Sequence, residues 1–409
     1  MQAIIERPRY LETLLSWQGK TDTIKIITGV RRCGKSSLFK IFQKHLLDNG
    51  TKPSQIQAIN FEDADFSDLT DWKKLHDYLK SRLIEGKMNY ILLDEAQCVP
   101  GFEKVVNSLR LHDNADLYLT GSNSQILSDE LATLLSKRYV TIKMWPLSFK
   151  EYLSAYPFAN MAKDDIFRDY LRNSGFPYAI QMTAARNPLL TTDDKWDTEQ
   201  ISLFLKGLFD TIVLKDIVER KNVKDVSRLM RIIKFMFDNI GKETSVRNIK
   251  NMLEADGLKI DVATIESYLS ALLDAFVMHK ANRYDIKSKQ YLKTNAKYYL
   301  TDIGLRYFLL GREGEAHNVL ENVVYLELLR RGYEVSIGKI NDYDVDFVAV
   351  KNGSVKYCQV AEELTFKRKL KALEAISDRS PKFLLATDNF ITDEHKGVKV
   401  LNVLNWLGD

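Results

Sequence analysis

The sequence predicts an α/β fold, in which a parallel sheet is covered by helices on both faces and is followed by two smaller modules. Short apolar, β-branched runs alternate with segments of helical spacing from residue 24 to residue 143, which is the pattern of βαβ units. A glycine-rich turn joins the first of these runs to the helix that follows it. Beyond residue 224 the pattern changes to three helices and a hairpin, and then to a helix followed by three strands.

The length and composition are those of a multidomain globular protein. A chain of 409 residues is too long for one compact core and predicts two or three domains. The net charge of +4 does not by itself indicate nucleic acid, and three widely separated cysteines exclude a disulfide framework or a paired-cysteine metal site. The sequence shows neither a signal-peptide pattern nor an apolar run long enough for a membrane span. We therefore expect a cytoplasmic protein.

A phosphate-binding loop is predicted directly after the strand Ile24–Thr28. Gly29 and Gly34 allow the backbone to curl, so that consecutive N–H groups point at phosphate oxygens. The helix that follows adds the positive end of its dipole. This strand, turn and helix therefore predict a nucleotide site.

Two side chains of the loop have predicted roles in binding ATP and Mg²⁺. Lys35 would reach the β- and γ-phosphates, and the Ser36 hydroxyl would bind the magnesium ion. The residues expected around the phosphates are Gly29, Val30, Arg31, Arg32, Cys33, Gly34, Lys35, Ser36 and Ser37.

Acidic and polar residues at the ends of two later strands are expected to complete the site. The run 90–95 is a buried-strand pattern that ends in Asp94 and Glu95, and parallel strands carry their last residues to the same edge of a sheet. Asp94 would hold the magnesium shell through water, and Glu95 would accept a proton from the attacking water. Asn123, which follows the next strand, is a candidate to position that water.

Three arginines lie in or near the predicted nucleotide site in the sequence pattern. Arg138 opens the last strand of the sheet and is a candidate to stabilise the transferred charge, within the chain or across a subunit contact. The alternative for Arg138 is a surface arginine paired with nearby acids. Arg31 and Arg32 are expected to pair with Glu62 and Asp63 rather than to contact phosphate.

A mainly helical lid is predicted over 151–223. A winged helix-turn-helix is predicted over 224–312. Three helical segments precede a hairpin pattern, and the 224–312 segment has sixteen Lys and Arg against ten Asp and Glu. A basic wing is typical of duplex binding, although winged helices also contact proteins. The candidate DNA contacts are Arg283, Lys287, Lys289, Lys293 and Lys297.

The segment 313–409 has the pattern of a small restriction-endonuclease-like α/β domain. Glu321 lies in a predicted helix, and Asp346 and Gln359 lie in the strands that follow, in the order of the carboxylates of two-metal nucleases. The position where such enzymes carry a lysine is Ala361. We therefore expect a degenerate site, with Lys367 as a weak candidate to replace the lysine.

Seven short segments of the chain carry motifs: 28–36, 93–97, 119–124, 146–149, 175–177, 299–305 and 345–347. With these residues the chain resembles a family of prokaryotic ATP-binding proteins that join an AAA-type ATPase domain to a C-terminal domain of unknown function, numbered 4143. The resemblance covers essentially the whole chain. It implies a P-loop ATPase, a winged helix and a restriction-endonuclease-like domain, and members are similar to ATPases of the signalling or switch type.

Four segments and three functions follow as predictions. The segments are an ATPase domain over 1–150, a helical lid over 151–223, a winged helix over 224–312 and a nuclease-like domain over 313–409. The first function is a magnesium-dependent ATPase that works as a switch or motor, with C-terminal domains that contact DNA or a protein. The alternatives are an ATP-gated nuclease and an interaction protein that ATP only stabilises. Self-association is left open, and no membrane partner is expected.

Overall fold

The computed structural model describes most of the chain. The described residues are 5–127, 135, 138–155, 161–184, 194–311, 316–362, 365–387 and 394–409. The sequence pattern also predicts a helix over 128–136, which lies outside these ranges except for residue 135. Parts of the predicted lid lie outside them too. No helix in the described part of the chain is both long and apolar enough to cross a membrane.

The chain divides into two compact units. The first contains residues 1–146 together with 274–276, and the second contains residues 147–273 and 277–409.

The first unit is built on a five-stranded parallel sheet with the strand order β2-β3-β4-β1-β5. Strands β1, β3 and β4 are buried along their whole length, as expected for central parallel strands covered on both faces. The elements are α1 (Pro8–Ser16), β1 (Ile24–Thr28), α2 (Lys35–Asp48), β2 (Ile56–Asn60), α3 (Trp72–Ser81), β3 (Asn89–Asp94), α4 (Phe102–Leu109), β4 (Ala115–Gly121) and β5 (Tyr139–Lys143).

Amphipathic helices cover the sheet of the first unit. Helix α3 begins at an Asp71 cap, whose side chain accepts hydrogen bonds from the N–H groups of Lys73 and Lys74. Its buried residues Leu75 and Leu79 pack into the core formed by β1, β3, β4 and α4. This packing fixes the carboxyl ends of the strands, which carry the loop after β1 and the acids at the end of β3.

The second unit begins with helices. Helix α8 continues directly into a π-helical segment, Ile212–Glu219. Side-chain caps start α9 and α10, where Asp225 accepts from the N–H of Arg228 and Ser245 from that of Asn248. The helices are α5 (Phe149–Ala155), α6 (Lys163–Asn173), α7 (Pro177–Ala184), α8 (Asp194–Thr211), α9 (Val226–Asp238), α10 (Val246–Ala255) and α11 (Val262–Asp274).

An eight-stranded sheet forms the rest of the second unit, with the order β12-β13-β11-β10-β9-β8-β6-β7. Helix α14 packs on β9, β10 and β11. The elements are β6 (Met278–Asp285), β7 (Gln290–Leu300), α12 (Ile303–Leu310), α13 (Ala316–Arg330), β8 (Glu334–Ile340), β9 (Tyr343–Lys351), β10 (Ser354–Ala361), α14 (Phe366–Glu374), β11 (Lys382–Ala386), β12 (Glu394–His395), β13 (Val398–Asn402) and α15 (Val403–Gly408).

The β6–β7 hairpin follows three helices, as the sequence pattern indicates, but it is part of the larger sheet. Strand β6 pairs in parallel with β8, in a register that matches Arg283 with Ile337 and Asp285 with Lys339. The Ile286 N–H also donates to the Lys339 carbonyl at 2.9 Å. Hydrogen bonding therefore joins the predicted winged helix to the predicted C-terminal domain.

Candidate functional site

The loop between β1 and α2 has a backbone path that depends on glycine. A Cβ on Gly29 would lie 2.1 Å from the carbonyl oxygen of Met144, which leaves no room for any side chain. Gly34 caps α2 with a φ of 109°, and Arg32 has a φ of 62°, so both lie in the left-handed region that favours glycine. The curled loop leads into the N-terminus of α2, where unpaired N–H groups favour an anion.

Lys35 is the first residue of α2, and its side chain is 3% exposed. Its Nζ donates to the Gly29 carbonyl at 3.0 Å and to the Val30 carbonyl at 3.4 Å, and lies 3.4 Å from Glu95 Oε1. Burial alone would lower the pKa of Lys35, but nearby negative charge, chiefly that of Glu95, raises it above its ordinary value. The ammonium group is therefore charged.

Asp94, the last residue of β3, is held by two hydroxyl groups. Ser36 and Thr120 both form hydrogen bonds to its carboxylate, and Thr120 Oγ1 also accepts from the Glu95 N–H at 2.8 Å. Burial raises the pKa of Asp94, and the neighbouring Glu95 charge adds to this effect, while the hydroxyl hydrogen bonds oppose it. The predicted magnesium ligands Ser36 and Asp94 are thus in direct contact.

Glu95 follows in a left-handed conformation, with a φ of 56°, which is unfavourable for a side chain of this kind. Gln97, in the short 3₁₀ turn Ala96–Cys98, donates its Nε2 hydrogens to Glu95 Oε2 and, at 3.4 Å, to Ser122 Oγ. Burial would raise the pKa of Glu95, but Lys35 and the hydrogen bonds from Gln97 and Ser122 lower it below its ordinary value. The adjacent acids Asp94 and Glu95 therefore shift in opposite directions. We call Lys35, Ser36, Asp94 and Glu95 the phosphate-loop site.

The other loop residues pack or pair outside that group of four. Arg31 forms an ion pair with Glu62, as expected. Val30 and Cys33 are buried, and burial raises the pKa of the Cys33 thiol. Arg32 is exposed, and Ser37 is half-buried in the first turn of α2.

Arg7 is a supporting residue that the sequence analysis missed. Its buried side chain donates to the Cys33 carbonyl at 3.1 Å and to the Trp145 carbonyl at 2.9 Å. It therefore links the phosphate loop to the segment after β5. No local sequence signal identifies it, because its partners lie 26 and 138 residues away.

Asn123 lies at the same edge of the sheet as the phosphate loop. It follows β4, whose last residue, Gly121, pairs with Thr28 at the end of β1. Its side chain is buried. Its predicted role in positioning water stays a prediction.

Arg138 lies at the opposite edge. It immediately precedes β5, and the first residue of that strand, Tyr139, pairs with Ile24 at the start of β1. Because β1 and β5 run parallel, the start of β5 lies away from the loop that follows the end of β1. The structure therefore does not bring Arg138 to the phosphates within the chain, and only a role across a subunit contact stays a prediction.

A second group of charges, the C-terminal cluster, consists of the buried Glu321 and Asp346 and the half-buried Lys297 and Lys369. Lys297 Nζ donates to Glu321 Oε1 at 2.7 Å, and Lys369 forms an ion pair with Asp346. Tyr299 also donates to Glu321, at 2.6 Å. All four cluster residues line a cavity of about 450 Å³ in the second unit.

The surroundings of the C-terminal cluster balance its charges. Burial raises the pKa of Glu321, and the charge of Asp346 raises it further, while Lys297 opposes both effects. Gln359 holds the strand of Asp346, since its Oε1 accepts from the Asp346 N–H at 3.1 Å. Ala361 stands at the position where a lysine is expected, but cations reach this region from other elements. Helix α14 and strand β7 supply Lys369 and Lys297, whereas Lys367 is exposed.

The predicted DNA contacts that the structure describes have different surroundings. Arg283 pairs with Glu243 at 3.3 Å, and Lys297 belongs to the C-terminal cluster. Lys287 and Lys289 are exposed in the turn between β6 and β7. The Lys293 side chain lies outside the described part of the chain.

Two family models match separate regions. The AAA domain matches residues 21–153, and a domain of unknown function, DUF8612, matches residues 164–316. A Haemophilus influenzae protein described as uncharacterized is 39% identical over 411 residues, with 99% of each chain covered. The chain belongs to the family of this protein. A second member, an uncharacterized protein of Methanocaldococcus jannaschii, is 30% identical, with 87% of this chain and 79% of that protein covered.

The fold of this chain also resembles a solved structure. The Walker-type ATPase of Pyrococcus abyssi is 15% identical, with a TM-score of 0.52 over 75% of this chain and 96% of that chain. The predicted AAA-type domain and its P-loop sheet are confirmed. The predicted 4143 architecture is not confirmed, because the region after the AAA domain matches DUF8612. The winged-helix and restriction-endonuclease-like assignments are also not confirmed.

Proposed function

We propose that this protein binds ATP and hydrolyses it in a magnesium-dependent reaction, and that it acts as a nucleotide switch or motor. The observation that supports this most is the convergence of the phosphate-loop site, where Lys35 lies 3.4 Å from Glu95 and Ser36 hydrogen-bonds to Asp94. The four residues come from two distant segments of the chain, and each has the chemistry that phosphoryl transfer requires.

The loop and α2 would bind the phosphates. Helix α2 begins directly after Gly34, so its N-terminal N–H groups lie at the end of the loop, and the charged Lys35 adds an ammonium that reaches the same region. In a buried site each of these donors interacts more strongly with phosphate than it would in water.

Ser36 and Asp94 fit a magnesium ion that arrives with the nucleotide. Both are oxygen ligands, and they already touch. Within the described ranges, no group of three or more His, Cys, Asp or Glu side chains is arranged to hold a metal. That suits magnesium, which proteins usually hold through one or two side chains, the phosphates and water. Magnesium would neutralise phosphate charge during transfer.

Glu95 is proposed as the general base. Its lowered pKa keeps the carboxylate ionised at neutral pH. Glu95 would take one proton from a water molecule as the water oxygen bonds to the γ-phosphorus and the bond to ADP breaks. Lys35, beside it, would balance the charge on the phosphates.

A phosphate-release assay tests this proposal. The purified chain should release phosphate from ATP with magnesium and should stop when the metal is chelated. Glu95→Gln should bind ATP normally but turn over about a hundred-fold more slowly, or worse, because the base is lost. Normal turnover in Glu95→Gln would remove Glu95 from this role. ATP binding without turnover in the parent chain would favour an interaction protein that ATP only stabilises.

For the chain after the ATPase domain we propose the domains that the sequence predicts. These are a lid over 151–223, a winged helix over 224–312 and a restriction-endonuclease-like domain over 313–409. The excess of Lys and Arg over 224–312 and the exposed Lys287 and Lys289 support a duplex-DNA partner. A protein partner is the alternative. Comparing ATPase rates with and without duplex DNA distinguishes the two, because a DNA partner should change the rate.

An ATP-gated nuclease is a weaker candidate. In its favour, Lys369 supplies the cation that Ala361 lacks. Against it, each carboxylate of the C-terminal cluster already has its own lysine partner, and a catalytic metal would have to displace these lysines. We therefore expect no cleavage of linear, branched or supercoiled DNA with magnesium or manganese. Cleavage that disappears in Asp346→Ala would make the nuclease the leading function.

A further inference from the structure

Gln97 contacts the proposed base directly. Its Nε2 donates to Glu95 Oε2 and to Ser122 Oγ. An ionised carboxylate only accepts hydrogen bonds, so the side-chain atom that faces Glu95 must be the amide nitrogen. This contact therefore fixes the orientation of the Gln97 amide.

In that orientation the amide oxygen of Gln97, a hydrogen-bond acceptor, lies in surroundings that do not favour an acceptor. Gln97 Oε1 is buried and has no hydrogen-bond partner among the described residues. It faces the backbone of Gly121, where an added Cβ would lie 3.0 Å from it. A buried acceptor without a donor destabilises a fold, and an apolar side chain of the same length would avoid this cost. The amide oxygen therefore adds nothing to stability, and the two hydrogen bonds that the Nε2 group donates account for the amide at this position.

We propose that Gln97 is a positioning residue that holds the Glu95 carboxylate in the orientation needed for proton transfer. The role rests on the proposed ATPase function. Glu95 has an unfavourable backbone conformation, and its N–H is held by Thr120. Gln97 adds a hydrogen bond at the far end of the side chain and connects it to Ser122. Lys35 lies beside the other oxygen, Oε1. The carboxylate is thereby fixed from both sides.

The test compares Gln97→Met with Gln57→Met. Gln57 is a matched control in the same unit. Its Nε2 donates to the Leu79 carbonyl at 3.3 Å, its Oε1 is also buried without a partner in the described part of the chain, and it lies on β2 away from the loop. Three quantities are measured: kcat for ATP, Kd for a fluorescent ATP analogue, and Tm.

Gln97→Met should lower kcat by roughly ten- to a hundred-fold, the range expected when a reacting group loses its orientation. The Kd should stay at the parental value, and Tm should change little, because the loss of the Nε2 hydrogen bonds is offset by the loss of the unpartnered Oε1. Gln57→Met should leave kcat unchanged. Gln97→Glu keeps the size of the side chain but removes the donor and adds a negative charge beside Glu95, so it should also lose turnover and bind the analogue.

Two results would overturn the role of Gln97. One is parental kcat in Gln97→Met or Gln97→Glu. The other is a loss of kcat in both variants with parallel losses of Tm and analogue binding, which indicates a structural contribution. If the parent chain itself binds the analogue but does not hydrolyse ATP, the proposed ATPase function fails, and the role of Gln97 fails with it.

Discussion

The phosphate-loop site and the C-terminal cluster use the same groups but balance them differently. In the phosphate-loop site a single lysine, Lys35, lies among two adjacent carboxylates and two backbone carbonyls. In the C-terminal cluster each carboxylate has its own lysine. The first arrangement leaves negative charge for a metal ion to neutralise, beside a loop shaped for an anion, whereas the second is already neutral. Buried acids therefore indicate a ligand site here only where their charge is left unbalanced.

The largest effect is expected from Lys35→Ala. Removing the ammonium leaves Glu95 without its 3.4 Å partner and the phosphates without their main counter-charge. ATP binding should weaken by about 4 kcal/mol, which is close to a thousand-fold in Kd. A titration with a fluorescent ATP analogue measures this.

Lys40→Ala is the matched control for that experiment. Lys40 is on the same helix, α2, but its side chain is exposed. It should leave the affinity unchanged. Equal losses in both variants would mean that net charge, rather than the position of Lys35, determines binding.

The next largest effect is a loss of stability, which is expected when the C-terminal cluster is altered. Asp346→Ala should reduce the free energy of unfolding by about 3 kcal/mol, because it leaves Lys369 and the Val360 N–H without their partner. The ATPase rate should not change. Chemical denaturation and phosphate release measure the two quantities.

The double variant Asp346→Ala with Lys369→Met should recover part of that loss, because the unpaired charge is removed with its partner. If the double variant loses as much unfolding free energy as Asp346→Ala and Lys369→Met lose together, the pair is not coupled. A fall in ATPase rate parallel to the stability loss would contradict the separation between the two sites.

Thr120→Val should have a smaller effect on turnover. The hydroxyl contacts the Asp94 carboxylate and accepts from the Glu95 N–H, and valine keeps the shape but makes neither bond. We expect a cost of about 1–3 kcal/mol in stability and roughly a ten-fold lower kcat from loosened geometry. Full activity in Thr120→Val would mean that the backbone of β3 and the 3₁₀ turn 96–98 position both acids without the hydroxyl.

The smallest effect is expected at the hairpin turn. Replacing Lys287 and Lys289 by Glu should weaken duplex binding, and the slope of affinity against salt concentration should flatten by about one for each phosphate that the protein no longer neutralises. Fluorescence anisotropy at several salt concentrations measures the slope. Binding that does not depend on salt in the parent chain would favour a protein partner.

The phosphate-loop site was largely predictable because its signals are local. The loop residues are close together in sequence: Gly29, Gly34, Lys35 and Ser36. The pattern of a buried strand ends directly at Asp94. The expectation needs only the rule that parallel strands end at one edge. The same rule places Arg138, which immediately precedes β5, at the other end of the strands.

The remaining contacts depend on tertiary structure, and no periodicity reveals them. Arg7 finds partners far along the chain, and Lys369 reaches Asp346 from a different element. Lys297 was predicted to contact DNA because of neighbouring lysines, but strand alternation and the fold turn it toward Glu321. Gln97 lies within a predicted motif, yet only its geometry suggests a role.

The pairing of β6 with β8 has a consequence for how this chain can be divided. The DUF8612 match ends at residue 316, but β6, which lies inside the match, pairs with residues 337–339 of β8, which lie outside it. A fragment cut at 316 would leave the inner edge of β6 open, and an open strand edge promotes aggregation. Exchange of this region between relatives, in the laboratory or by recombination, should therefore succeed only when the hairpin and β8 are transferred together.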